Sequence, residues 1–325
     1  MRLSCNLSNR AALACALAFV AASRATAEQV TIAKNDAGYA VTIGGKPFAE
    51  YMTVNGHQPI IWPILGPGGQ AMTRQYPMKD KLPGEATDHP HHRSLWFNHG
   101  LVNKLDFWLE PGNRGKKNRI VQREVVSAES GDPAKLVVRN DWMSDDDKVC
   151  EDERTILFGA DAHGRWIDFT SDVTATDGDV VFGDTKEGAF GLRVPGTMSV
   201  DAKKGGKIRN SRGQEDAVAW GQSAEWVDYS GPVDGKPAGI VVFDLPDSYR
   251  HPTRWHVRTY GLFAANPFGK KDFPADSQDP QERGEATVKK GEKLRVHYRV
   301  LFYDGEKSPA ELAAIYKEYA AAKAN

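Results

Sequence analysis

Apolar and polar positions alternate along most of this chain. The segment EKLRVHYRVLFYD, 292–304, places Leu294, Val296, Tyr298, Val300 and Phe302 against Arg295, His297 and Arg299. A period of two puts one set on each face of a strand, so this is the pattern of an antiparallel strand with one apolar face. Similar runs rich in Val, Ile, Thr and aromatic residues stand at 29–35, 39–45, 119–130, 135–143, 165–175 and 239–244, separated by Gly, Asp, Asn and Pro. Helical periodicity is confined to the end. There Ser308-Pro309-Ala310-Glu311 supplies a cap, a proline in the first turn and a capping-box glutamate ahead of ELAAIYKEYAAAK. About twenty strands and one terminal helix predict an all-β fold, a large antiparallel β-sandwich with one C-terminal helix.

The first 27 residues interrupt that pattern. Arg2 and Arg10 precede an apolar run from Ala11 to Ala22 that ends in Ala25-Thr26-Ala27, which reads as a cleavable signal peptide, residues 1–27. The expected product is periplasmic or secreted, with residues 28–325 forming a single β-sandwich domain and no membrane span. Cys5 and Cys15 fall within the leader, which leaves Cys150 without a partner for a disulfide. Its acidic surroundings, Asp145 to Asp147 and Glu151 to Glu153, raise a thiol pKa and disfavour a nucleophilic role.

Charge narrows the partners further. With 42 basic and 43 acidic residues and no long basic block, nucleic acid is not expected. The 8 Trp and 10 Tyr exceed ordinary core packing and suit stacking on sugar rings, though a sandwich core would also use them.

Three constellations carry candidate chemistry. DHPHHRSLWFNHG, 88–100, holds four of the nine histidines. His89 and His91 have the spacing of two metal ligands. Pro90 between them argues against a regular central strand, and none of the completing ligands considered (His99, Asp106, Glu187, His251 and His256) stands at a diagnostic spacing. No cofactor is therefore expected, with a divalent metal kept open as the alternative. Imidazole also suits acid/base work near neutral pH, and the bland reading stacks these rings on Trp96 and Phe97 between Asp88 and Arg93. Downstream, Asp106 beside Phe107 and Trp108 either contacts sugar hydroxyls or caps a turn.

The second constellation, FGDTKEGAFGLRV, 182–194, sets Asp184, Lys186 and Glu187 between Gly183 and Gly188. Glycines on both sides permit close approach to a ligand, and neighbouring cations favour an ionised carboxylate. A solvated turn is the alternative. The third, 248–270, has Arg250, His251, Arg254, His256 and Arg258 within nine residues, interleaved with Trp255 and Tyr260. Arg254, His256 and Arg258 share a strand face by alternation. Such a face stays in solvent, receives carboxylates such as Asp184 and Glu187, or receives an acidic substrate such as a uronate.

Together these blocks resemble the signature of a bacterial family of unknown function labelled "methane oxygenase PmoA"-like. His89, His91, His92, Arg93, His99, Asp184, Lys186, Glu187, Arg254, His256 and Arg258 stand where that family's pattern places them. Lys104 occupies what is commonly a glycine. The particulate methane-oxidising subunit spans a membrane several times, so methane oxidation is not carried over. The resemblance implies instead a relationship to the galactose-mutarotase-like supersandwich superfamily, whose members include epimerases, lyases and accessory domains of glycoside hydrolases.

The expected function is an exported carbohydrate-active protein acting on a sugar or uronate, as a small molecule or within an oligosaccharide, by epimerase, lyase or hydrolase chemistry. His92, His99, Glu187 and Asp184 are the expected acid/base residues. His89, His91, Arg93, Trp96, Asp106, Trp108, Lys186, Arg254, His256 and Arg258 are the expected substrate contacts. A non-catalytic carbohydrate-binding module and a metal-dependent enzyme using His89 and His91 are the alternatives.

Overall fold

The computed structural model describes residues 29–110, 117–276, 279 and 282–323, with side chains described through residue 321. The leader assigned to residues 1–27 lies outside the described residues.

Alternation becomes two eight-stranded antiparallel sheets. The first sheet starts with β1 (Val30–Lys34), β2 (Gly38–Ile43), β3 (Lys46–Asn55) and β4 (Gln58–Ile64), then β5 (Leu95–His99). Four long neighbours follow in the second sheet: β6 (Asn118–Glu129), β7 (Ala134–Ser144), β8 (Asp147–Asp161) and β9 (Gly164–Thr174). After the short β10 (Val180–Phe182), the chain returns to the first sheet as β11 (Gly188–Arg193). The second sheet is extended by β12 (Lys207–Asn210), β13 (Trp226–Val233) and β14 (Lys236–Asp244). The first is completed by β15 (Arg254–Val257) and β16 (Leu262–Asn266). A short β17 (Ala286–Val288) pairs with β10, and β18 (Lys293–Asp304) enters the second sheet ahead of helix α1 (Pro309–Lys323).

Strand order in the first sheet is β1-β2-β3-β4-β5-β11-β16-β15, and in the second β12-β13-β14-β18-β9-β8-β7-β6. The long crossings bring β5, β11, β16 and β15 side by side. Residues far apart in the chain thereby become neighbours, Leu95 with Leu192 and Phe190 with Ala265.

One apolar core fills the space between the sheets. Phe48 meets Phe158 and Phe302, Phe97 meets Phe169, and Phe190 stacks on Tyr298. Burial of these rings removes the alternating apolar faces from water, each worth about 1.5–3 kcal/mol. The Arg154 guanidinium donates across that core to the carbonyl of Phe97 (3.2 Å), while the buried Asp152 carboxylate neutralises it. Cys150 is buried, and its thiol is pushed up by burial first and then by Asp152 and Glu151.

The opposite faces of the two sheets are covered differently. Helix α1 lays Leu312, Ile315 and Tyr319 on Trp166, Val241, Phe243 and Leu301 of the second sheet. Its start is the capping box read from the sequence: Glu311 N–H donates to Ser308 Oγ (3.2 Å), and Ser308 N–H donates to Glu311 Oε2 (2.7 Å). Because the helix covers this face, Arg299 of β18 lies between Trp166 and Tyr319 and pairs with the buried Asp168. On the first sheet Ile60, Trp96, Trp108, Leu262 and Ala264 form a smaller apolar layer. Loops carrying the polar constellations lie over that layer.

Candidate functional site

The loop 88–92 precedes β5 and is not itself a strand. Pro90 accounts for that, since it cannot donate to a ladder. His89 sits at a φ of +46°, a left-handed conformation that disfavours side-chain-bearing residues and is held by its surroundings. Two buried arginines supply the hold. Arg74 donates to Asp88 Oδ1 (2.9 Å) and to the carbonyls of Asp88 (2.8 Å) and His89 (2.9 Å). Arg193, the last residue of β11, donates to both Asp88 oxygens (2.8 and 3.1 Å) and to His92 Nδ1 (3.0 Å). Burial would raise the Asp88 carboxyl. Hydrogen bonding from His89 and the Arg193 charge outweigh it and hold it below its ordinary value.

These contacts define the imidazoles. Asp88 accepts from His89 Nδ1 (2.6 Å), which presents the other ring nitrogen outward on a side chain that is 41% exposed. Arginine can only donate, so His92 Nδ1 accepts and its proton resides on Nε2. The rings are layered: His89 stacks on His92 (4.7 Å) and on Tyr260 (5.0 Å), while His92 lies on Trp96 (5.4 Å). Burial keeps the ring of His92 well below the ordinary histidine pKa and depresses that of His91 to about 4. Both are neutral at physiological pH.

Strand β11 brings the second constellation alongside. Gly188 pairs with His99, and a Cβ on Gly188 would lie 2.2 Å from His99 Nδ1. Gly100 likewise packs on Glu187, where an added Cβ would stand 2.8 Å from the Glu187 Cβ. The two glycines are thus required by close approach at the crossing of β5 and β11. Lys186 Nζ pairs with Glu187 Oε1 (3.1 Å), both side chains being a little over a third exposed.

Strand β15 supplies the third. His256 Nδ1–H donates to the Lys186 carbonyl (2.7 Å), which leaves Nε2 as the acceptor of a ring depressed by burial to about 3. Arg258 lies over Trp220 (5.0 Å) and near Tyr260 (5.7 Å). Burial pushes the Tyr260 hydroxyl up to about 12.

All three constellations meet at one cavity of about 390 Å³, lined by His89, His91, His92, Leu109, Lys186, Glu187, His256, Arg258 and Tyr260. Six residues named from sequence as acid/base groups or substrate contacts other than Arg258 line it: His89, His91, His92, Lys186, Glu187 and His256.

Seven other residues named from sequence do not line it, and each has a physical reason. His99 is fully buried, with Nε2–H donating to the Gly183 carbonyl (2.8 Å) and its ring against Phe268. Asp184 accepts from the amides of Lys270 (2.7 Å) and Lys271 (3.0 Å) and so fixes the following loop. Arg93 turns to Glu110 and Asn55, and Asp106 caps the turn at Trp108 (2.8 Å) and Leu109 (3.0 Å). Arg254 is buried against Asp279 and the Gly269 carbonyl. Trp96 and Trp108 support the imidazoles from within the apolar layer.

Sequence reading missed Arg74 and Arg193, which organise the histidine loop. Only Arg193 left a local trace, as an arginine closing the otherwise apolar AFGLRV. Among the described residues no group of three or more His, Cys, Asp or Glu side chains is arranged to hold a metal ion. No helix among them is long and apolar enough to cross a membrane.

A family model described as a family of unknown function (DUF6807) matches residues 38–317. The chain belongs to that family. No curated protein matches it. Among solved structures, this DUF6807 member is similar to a glycoside hydrolase family 97 enzyme from Pseudoalteromonas sp. strain K8 in complex with acarbose, at 11% identity and a TM-score of 0.35. A substituted form of that enzyme in complex with panose gives the same figures. The likeness covers 86% of this chain and 34% of each of those, so the chain spans about a third of their length.

Proposed function

We propose that this protein is an exported carbohydrate-active enzyme whose sandwich is of the galactose-mutarotase-like kind, acting on a sugar through histidine and glutamate acid/base chemistry. The observation that carries the reading is the convergence of His89, His92, Glu187 and His256 with Arg258 and Tyr260 on one cavity, of a size suited to small ligands. Glu187 serves as base, since it is an accessible carboxylate with a cation, Lys186, beside it. His89, oriented by Asp88, moves the second proton. His92 and His256 are neutral: the first contributes an N–H and the second a lone pair for hydroxyls. Tyr260 offers a ring face for the apolar side of a pyranose. The acid/base roles expected for His99 and Asp184 are not retained in this reading, because neither side chain lines the cavity.

The purified protein is assayed against a panel of monosaccharides, uronates and oligosaccharides, with anomeric and ring protons followed by NMR. Glu187→Gln and His89→Gln are each expected to lower turnover by about 10²–10⁴-fold while leaving the melting temperature near that of the parent. A fully active double variant would sink the acid/base reading. Tight binding of a sugar that stays chemically intact after long incubation would support the non-catalytic binding module, which the neutral, hydrogen-bonding imidazoles also suit.

A further inference from the structure

Strand β15 carries Arg254 and His256, Arg258 follows it directly, and the fates of the three differ. Arg254 is buried and neutralised by Asp279. The proton on His256 Nδ1 is taken by a backbone carbonyl. Arg258 forms no ion pair with any described carboxylate, yet it is half-buried, lines the cavity and is flanked by the rings of Trp220 and Tyr260.

The neighbouring charges do not cancel it. Lys186 and Glu187 neutralise each other at 3.1 Å. In the layer behind, Asp88 is shared between two arginines, Arg74 and Arg193, which leaves that layer positive as well. The exposed Asp272, near His256, is engaged by the Lys186 amide (3.0 Å). A half-buried guanidinium between aromatic faces has its orientation fixed in advance, with the edge of its planar fork left for a bidentate acceptor.

We propose that Arg258 recognises a carboxylate and that the ligand of this cavity is an acidic sugar, a uronate free or at the end of an oligosaccharide. The assignment rests on the carbohydrate reading above and narrows it. The sugar ring stacks toward Tyr260, and its carboxylate meets the Arg258 fork in a charge-assisted pair.

The test is calorimetric binding of the full protein to three matched pairs: the methyl glycosides of glucuronate and glucose, galacturonate and galactose, and mannuronate and mannose. At least one acid is expected to bind the wild type about ten-fold more tightly than its neutral partner. In Arg258→Gln the acid-over-neutral preference falls within about two-fold; Arg258→Lys, which keeps the charge without the fork, retains part of it.

A neutral sugar that binds the wild type as tightly as its acid, or an acid preference that survives in Arg258→Gln, overturns the carboxylate role and leaves the carbohydrate reading standing. Acetate or citrate that displaces the uronate at equal concentration overturns the acidic-sugar assignment in favour of a general anion site. Failure of all six glycosides to bind overturns both readings together.

Discussion

The two sheets meet the same requirement in opposite ways. Each buries one face against the other, and each has a second face to cover. On the second sheet helix α1 closes that face with Leu312, Ile315 and Tyr319, and the charge caught beneath, Arg299, is matched by Asp168. On the first sheet the cover is a set of polar loops. They leave a cavity, hold three imidazoles neutral around it and leave Arg258 without a described carboxylate. A sealed face spends its polar groups on internal neutralisation, whereas the open one keeps some available to a ligand. The difference is therefore energetic as well as geometric, and removing equivalent charges from the two sides should have unequal effects.

The largest effect is expected on the sealed side. Asp168→Ala leaves Arg299 as an uncompensated charge under the helix and should cost about 3–5 kcal/mol of stability. Glu187→Gln on the open side should change stability by less than about 0.5 kcal/mol, because its exposed partner Lys186 remains hydrated. Urea denaturation of both variants checks the contrast. Equal losses would show that the cavity-side charges are as structural as the buried pair.

Acid separates the two sides next. His91, His92, His99 and His256 around the first sheet all have pKa values lowered by burial. A lowered folded pKa means the unfolded chain takes up the proton first. Stability from these rings is whole above the ordinary 6.5 and is lost as pH falls toward the folded values of about 4 for His99 and about 3 for His256.

His251, between β14 and β15 and paired with Asp244 at the end of β14, runs the other way. Burial lowers its ring, but the Asp244 carboxylate outweighs this and leaves it raised, so its contribution is present below 6.5 and is lost as pH rises through the folded value. His99 isolates the first effect, being fully buried and away from the cavity. His99→Gln should remove on the order of 2 kcal/mol from the stability lost between about pH 7 and pH 5. Unfolding curves at the two pH values measure it, and identical pH slopes for variant and parent would refute the assignment.

How much of this was legible in the sequence depends on the distance between partners. The strands at 119–130, 165–175 and 292–304 were readable because alternation is local, and the capping box at Ser308 is local too. The density of His, Lys, Glu and Arg in three segments pointed to a polar site. Which side chains would enter the cavity was not readable. His92 is set by Arg193, 101 residues away, and Arg254 is removed from the site by Asp279 across a loop. His99 stood beside His92 as an expected acid/base residue, but the strand pairing that buries it against Gly188 is long-range. Asp106 and Asp184 accept from main-chain amides a few residues away or across a loop, a role that composition does not distinguish from ligand contact.

The smallest effect concerns a turn that supports the site without touching it. Val102 and Leu105 exchange backbone hydrogen bonds of 2.8 and 2.9 Å around Asn103 and Lys104, whose φ values are +49° and +67°. Two positive φ angles in a two-residue hairpin favour Asn-Gly, since glycine lacks the Cβ that crowds this conformation. Asn103 also joins the turn to the strand before the 182–188 loop, accepting from the Val181 amide (2.7 Å). The lysine therefore holds a strained conformation while its own side chain is exposed. Lys104→Gly relieves the strain and offsets part of the gain through a more flexible unfolded chain, for a net stabilisation of about 0.5–1 kcal/mol. Turnover should be unchanged, because the backbone of residues 102–105 is already in the conformation glycine prefers. A neutral or destabilising result in thermal melts would mean that the lysine side chain makes a contribution of its own that outweighs the left-handed backbone it occupies.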